Sequence, residues 1–401
     1  MEKKDRRGLL LIILSIIIVA FAGLLISIMV PDFKLNDKEI TNNITNNITN
    51  NEVTYGDLKI EDVDAAIQTA VKKVENAVVG VSLYAVVKTG VGLTAKEQEV
   101  QYSIGSGVIY KQVPVYENDV LKKYVYYVIT NRHVITISKS DLSQVKGVKN
   151  YIYLGYEDVE IPAKVIGYDE KVDIALLTFE STKFIDPVEF GNSEELEKGQ
   201  LAIAIGNPHG MDYYGTTTFG IVSSPKRYIS TDTDEDGTDD FYAEYIQHDV
   251  AINPGNSGGG LFNIKGELIG INTLKIAKEG VEGLGFAIPS NTVENLMTEY
   301  LESGKKIERP QLGILGTEVR SLTDYIIENS PEIIGIPDIY NGERSYGLYV
   351  VEIYPNTTIA GTAIKENDII LEINDIKITR MYIINSKLNS LIEGFKIGQT
   401  I

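Results

Sequence analysis

Three histidines, His133, His209 and His248, are the whole supply of imidazole in the 401 residues, and there is no cysteine. The missing thiols exclude disulfides, thiolate metal sites and a sulfur nucleophile in one step. A general base that titrates near neutrality therefore has three candidates. Gly255-Asn256-Ser257-Gly258-Gly259-Gly260 sets one serine among glycines. Such a setting lets the backbone turn so that the hydroxyl projects outward and nearby N–H groups converge on a point. By itself the same segment also reads as a glycine-rich turn. His133 follows directly on a Tyr- and Val-rich run, within Thr130 to Ile135, and Asp173 opens the apolar run Ile174-Ala175-Leu176-Leu177. Taken singly, each reads as a structural residue. Together they supply a hydroxyl, an imidazole to take its proton and a carboxylate to orient the imidazole.

These groups need a frame. From about Glu61 the chain breaks into short apolar runs bounded by Gly, Pro, Asn and Asp: Ala77 to Val81, Ser106 to Tyr110, Tyr124 to Thr130, Ile174 to Phe179 and Leu201 to Ile205. That texture predicts an all-β barrel or sandwich and not βαβ units. Asn291 to Leu301 predicts a helix, with Asn291 and Glu294 spaced as a capping box and Gly304 as its stop. A second run of short strands begins near Gln311, so a domain boundary is expected inside Ser303 to Pro310.

The order His133, Asp173, Ser257 is that of chymotrypsin and not of subtilisin or the α/β-hydrolases. With TNRHVI, KVDIALL, AIGNPHG, GIVS, IQHDVAINPGNSGGGL, IGINT and GLGFAIPSN, the stretch from about Glu61 to Gly304 resembles the HtrA/Deg family of trypsin-like serine proteases. The resemblance implies a mostly β fold, a trypsin-like double β-barrel over 61–304 followed by a PDZ domain over 310–401. It implies His133 as base, Asp173 as its orienting acid, Ser257 as nucleophile, and the N–H groups of Gly255 and Ser257 as an oxyanion hole. Ala251, six residues before the nucleophile, is expected on the floor of the primary pocket, with Ile271, Asn272 and Thr273 beside it. With no acid on that floor, cleavage is expected after small or medium aliphatic residues. His248 stands where the resemblance expects a small polar residue, and His209 where it expects an aromatic; both are expected to be structural or surface residues.

Gln311-Leu312-Gly313-Ile314 resembles the carboxylate-binding loop of the family's PDZ domain, and Gly347 to Val351, Ile359 to Gly361 and Leu371 to Asn374 follow in matching order. Two departures stand beside the match. Ser321 to Tyr346 is longer than the resemblance implies, and the chain stops at Ile401, before a last strand would be complete. The expected partners are unfolded protein and peptide substrates, with peptides added as a strand to the PDZ sheet. A homotrimer is implied by the resemblance, and no cofactor is required. The alternative class is a tethered peptide-binding adaptor with a resting protease fold.

Gly8 to Val30 carries no charge, and as a helix would span roughly 34 Å, enough for a bilayer core. Lys3, Lys4, Arg6 and Arg7 precede it, which places the N-terminus in the cytoplasm and the rest outside. Residues 1–30 are thus expected to be a basic tip and membrane anchor; a cleaved signal peptide, with Ala20-Phe21-Ala22 at its end, is the competing reading. Residues 31–60 are expected to be a linker, since Asn42 to Asn51 is a polar repeat holding two glycosylation sequons. A net charge of -19, from 37 basic and 56 acidic residues, argues against a nucleic-acid partner. Asp232, Asp234, Asp236 and Asp240 have the spacing of a calcium loop, although Ala243 stands where the closing acid is usual. A solvated acidic loop is the plainer reading of the same residues.

Overall fold

The computed structural model describes residues 60–89, 96–138, 141, 145–155, 157–207, 211–233, 241–273, 283–319, 339–340, 343–344, 346–357 and 359–389. The expected anchor at Gly8 to Val30, the linker as far as Lys59, and His209 lie outside them. Among the described residues no helix is long and apolar enough to cross a membrane.

The first element is a helix, α1 (Ile60–Val74), where a β texture is expected from Glu61. Ile67, Ala70, Val71 and Val74 fall three and four residues apart, so one stripe meets the core, and acids in the first turn and lysines in the last suit the helix dipole. The strands then follow in two groups. The first comprises β1 (Val78–Thr89), β2 (Lys96–Glu117), β3 (Val120–Asn131), β4 (Val145–Leu154), β5 (Val159–Asp169) and β6 (Ile174–Ser181), with a one-turn helix α2 (Arg132–Ile135) after β3. They close into a barrel in the order β1-β2-β3-β6-β5-β4, every pair antiparallel. Val79, Val81, Val108, Ile129, Ile152 and Leu176 fill it. Each such buried side chain contributes roughly 1.5–3 kcal/mol.

The second group is β7 (Glu189–Phe190), β8 (Leu201–Gly206), β9 (Thr216–Thr231), β10 (Phe241–His248), β11 (Gly260–Phe262), β12 (Glu267–Thr273) and β13 (Gly285–Pro289). Its order is β11-β8-β9-β10-β13-β12-β7, and pairing of β11 with β12 closes six of the strands into a second ring. Ala202, Val222, Ile246, Leu261 and Ala287 form its own core.

Helix α3 (Ser290–Asn295) runs on into a π-helical turn, Leu296–Leu301, and Gly304 ends the segment with φ +66°. The expected capping box at Asn291 is not formed, because the helix starts one residue earlier, at Ser290. The Asn291 side chain instead accepts from the Ser193 N–H at 2.9 Å and donates to Asn192 at 2.8 Å. A tertiary contact outcompetes the local cap.

The C-terminal elements are β14 (Ile314–Glu318), β15 (Ile339–Tyr340), β16 (Glu343–Arg344), β17 (Leu348–Ile353), β18 (Ile369–Ile370), β19 (Glu372–Ile373), β20 (Ile376–Lys377) and α4 (Met381–Asn389). Three of the strands form a sheet in the order β14-β17-β18, and Leu348, Ile373, Ile378 and Ile384 are its core. The described residues from Glu61 on belong to one compact unit. Inside it, Arg309 pairs with the buried Asp169 and stacks over Phe241, while Tyr382 of α4 stacks on Tyr228 of β9 at 5.1 Å and 12°.

Candidate active site

His133 sits in α2, directly after β3 delivers the chain to the rim of the first barrel. Asp173 sits just before β6, the strand beside β3, so strand pairing alone brings the two residues together. Asp173 has φ +62°, a left-handed conformation that aspartate tolerates better than most side chains. That twist turns its carbonyl and carboxylate toward α2. The carbonyl accepts from the Arg132 N–H at 3.1 Å and from Asn131 Nδ2 at 3.0 Å. In the carboxylate, Oδ1 accepts from the His133 N–H at 3.0 Å and Oδ2 lies 2.7 Å from His133 Nδ1. The carboxylate side chain is only 6% exposed and the imidazole 34%, so the carboxylate is sealed while the imidazole stays reachable. With Nδ1 donating to the acid, the neutral ring carries its lone pair on Nε2.

Thr273 was expected as a pocket wall, and its hydroxyl lies 3.4 Å from Asp173 Oδ2 as a further donor. The second barrel thus helps to hold the acid of the first. Tyr245 is raised by burial and, after that, by the charge of Asp173.

Ser257 is buried on the loop from β10 to β11. The Asn256 N–H donates to the Asn253 carbonyl at 3.0 Å, closing a turn with Pro254 and Gly255 in the middle. Gly255 has φ +102°, which the third position of a type II turn requires and glycine supplies. Its N–H has no partner among the described residues. The next stretch is stitched to β12: the Gly258 N–H donates to the Asn272 carbonyl and the Asn272 N–H to the Gly259 carbonyl, both at 2.9 Å. Gly258, at φ +84°, could carry no side chain, since a Cβ there would stand 2.1 Å from the Ser106 carbonyl oxygen.

Ala251 is exposed, while Ile271 and Asn272 are fully buried on β12. Gln311 to Ile314 lead into β14. Of the proposed calcium residues only Asp232 is described; Asp234, Asp236 and Asp240 lie outside the described residues. Among the described residues no group of three or more His, Cys, Asp or Glu side chains could hold a metal ion. Three groups escape sequence reading: Ser106, Thr130 and Asn207, all buried and all hydrogen-bonded around the Ser257 loop. Gly105-Ser106-Gly107, a small triplet inside an apolar strand, is the signal that pointed there.

His248 is fully buried at the end of β10, opposite Gly285 of β13, and its ring fills the space a Gly285 side chain would take. Asn272 and the backbone of Val250 and Phe286 lie beside the ring, yet neither ring nitrogen reaches hydrogen-bond geometry. Burial holds the imidazole down to about 4. An unfolded histidine takes its proton near 6.5, so the stability from keeping this ring neutral is complete above that pH. It is lost as pH falls from there toward 4. His248→Leu is therefore expected to flatten the acid side of the stability profile. The wild-type difference between neutral pH and pH near 4.5, of which this ring contributes up to about 3 kcal/mol, should shrink in urea unfolding. An unchanged difference would contradict the assignment.

Residues 105–271, which hold all three groups, match the trypsin-like peptidase domain. The serine protease Do-like HtrA of Lactococcus lactis subsp. lactis is 34% identical over 358 residues, covering 85% of this chain and 79% of that protein. The chain belongs to the HtrA family of trypsin-like serine proteases. A second HtrA-family relative, the serine protease Do-like HtrA of Lactobacillus helveticus, is 35% identical over 310 residues, or 75% of this chain and 64% of that protein. This HtrA-family chain spans between half and about two thirds of the length of the Lactobacillus helveticus and Bacillus subtilis relatives. In fold it is similar to the HtrA-type protease AlgW with decapeptide, with a TM-score of 0.57 and 24% identity, covering 80% of this chain and 89% of that one.

Proposed function

We propose that the chain is a serine endopeptidase, with Ser257 as nucleophile, His133 as general base and Asp173 as orienting acid. The observation that carries this reading is the doubly held Asp173 carboxylate on His133 Nδ1 and N–H, at the site where the family motif supplies the serine. His133 Nε2 takes the Ser257 proton as the oxygen attacks the scissile carbonyl. The tetrahedral oxyanion is held by the N–H groups of Gly255 and Ser257, each donor contributing about 3–4 kcal/mol in comparable sites. His133 then gives its proton to the leaving amine, and water enters by the same route to release the acyl group from Ser257. The reaction as drawn uses no cofactor.

The substrates are exposed segments of unfolded or damaged proteins outside the cytoplasm. Ala251 leaves the primary pocket without a charge, which supports small and medium aliphatic residues before the cut. On a peptide library, cleavage after Ala, Val and Ile is expected to exceed cleavage after Lys or Arg by at least about tenfold in kcat/KM. Efficient cut sites after Lys or Arg would overturn it.

Residues 310–401 complete the reading as a PDZ domain that binds peptide and regulates the protease. Its support is an edge strand, β14, next to Gln311 to Ile314, with Leu312, Ile314, Met381 and Leu388 packed on one apolar cluster. Gly8 to Val30 is proposed as the single membrane anchor, and a homotrimer as the assembly.

A further inference from the structure

We infer that Ser106 is the positioning residue of the nucleophile loop, clamping Gly255 to Ser257 onto the barrel that carries His133 and Asp173. The inference rests on Ser257 being the nucleophile. Ser106 is fully buried on β2 of the first barrel, whereas Ser257 lies on a loop of the second. One residue nonetheless reaches that loop twice. Its N–H donates to the Ser257 carbonyl at 2.8 Å, and its hydroxyl donates to the Gly255 carbonyl at 2.6 Å. Its own carbonyl accepts from Thr130 Oγ1 at 2.7 Å, and Thr130 lies on β3, three residues before His133. A continuous path of hydrogen bonds therefore runs from the strand of the base to the loop of the nucleophile.

The direction of the hydroxyl bond is fixed by its other partners. The Asn207 N–H donates to Ser106 Oγ at 2.9 Å, and Asn207 Nδ2 lies 3.3 Å from it. A hydroxyl has one proton and two acceptor positions. With both acceptor positions engaged, the proton goes to the Gly255 carbonyl. Asn207 is itself held, since Nδ2 donates to the Val79 carbonyl at 2.8 Å and Oδ1 accepts from the Gly215 N–H at 3.0 Å.

The clamp matters because of what it grips. Gly255 has no side chain to limit its rotation, yet its N–H must face the oxyanion at a fixed distance to contribute. The Gly255 carbonyl belongs to the peptide that follows the Gly255 N–H and the Ser257 carbonyl to the peptide that follows the Ser257 N–H, so pinning both fixes the backbone on the far side of each expected donor. An oxyanion hole supplies its stabilisation only when its donors are already oriented before the reaction. Ser106 touches neither substrate nor reacting atoms, so its effect should appear in turnover and not in ground-state binding.

The test is Ser106→Ala in the full chain, with rates taken per site titrated to completion by a fluorophosphonate. Turnover is expected to fall about 10- to 100-fold with KM within about threefold, a part of what one oxyanion donor contributes. Affinity for a peptide boronate, which mimics the tetrahedral state, should fall with kcat, whereas affinity for the cleaved product peptide should hold. Ser106→Cys, which keeps a weaker donor, should recover part of the turnover, and it decides the matter if the alanine variant does not fold. Wild-type turnover per titrated site in either variant, or equal losses in boronate and product affinity, would overturn the inference. Hydrolysis that survives Ser257→Ala would instead overturn the reading on which it rests.

Discussion

Ser257→Ala is expected to lower peptide hydrolysis by about 10⁴- to 10⁶-fold while leaving the fold unchanged. The change removes one oxygen and leaves the backbone hydrogen bonds of the loop in place. The Ser257 carbonyl still accepts from the Ser106 N–H, Gly258 still donates to the Asn272 carbonyl, and the type II turn at Gly255 is untouched. What remains is catalysis by oriented donors and substrate binding alone, which in serine proteases retains roughly 10³- to 10⁴-fold over water. Steady-state kinetics on an aliphatic peptide, with near-ultraviolet circular dichroism as the control for folding, reads the outcome. Activity within tenfold of wild type would place the nucleophile elsewhere.

A second large effect is expected at Asp173. Asp173→Asn keeps the size, and with its one oxygen still accepting from the His133 N–H it puts an amide nitrogen in place of Oδ2, the atom 2.7 Å from Nδ1. An amide nitrogen there would donate to Nδ1, moving the ring proton to Nε2, where the Ser257 proton has to go. In the trypsin-like template the same exchange costs about 10⁴ in kcat. The loss should fall on kcat with KM little changed, because Asp173 is buried behind His133 and away from substrate. An equal rise in KM would mean that the exchange has moved the pocket as well.

How much of this was legible beforehand depended on whether a residue's role was local. The setting of Ser257 was readable because φ +102° at Gly255 and φ +84° at Gly258 need glycine, and glycine is visible in the sequence. The apolar runs named the strands, from Val78–Thr89 to Leu201–Gly206, since burial on a sheet leaves its mark on consecutive residues. The pairing of His133 with Asp173 follows from β3 lying beside β6, and only the order of motifs hinted at it.

Roles that depend on distant partners left weaker marks. Ser106 meets Gly255 from 149 positions away and Asn207 from 101, so the Gly105-Ser106-Gly107 triplet marks the spot without naming its partners. Thr273 reads as a wall residue until the second barrel carries its hydroxyl to Asp173. Asn291 reads as a helix cap until Ser193 is seen to take its side chain. In α1 the helical stripe of Ile67, Ala70, Val71 and Val74 is present in the sequence, but the β texture that follows it masks the helix. His248 gave no sign of burial because a histidine flanked by polar residues suits a surface equally well.

Peptide-bond cleavage is expected to depend on one serine, Ser257, activated by one histidine, His133. The most direct measurement is reaction of the full chain with a fluorophosphonate, followed by mass analysis of the resulting peptides. A single adduct is expected, on Ser257, formed at a rate that collapses in His133→Ala, with hydrolysis lost in proportion to labelling. An adduct on another residue, or full hydrolysis by a chain completely labelled at Ser257, would contradict it.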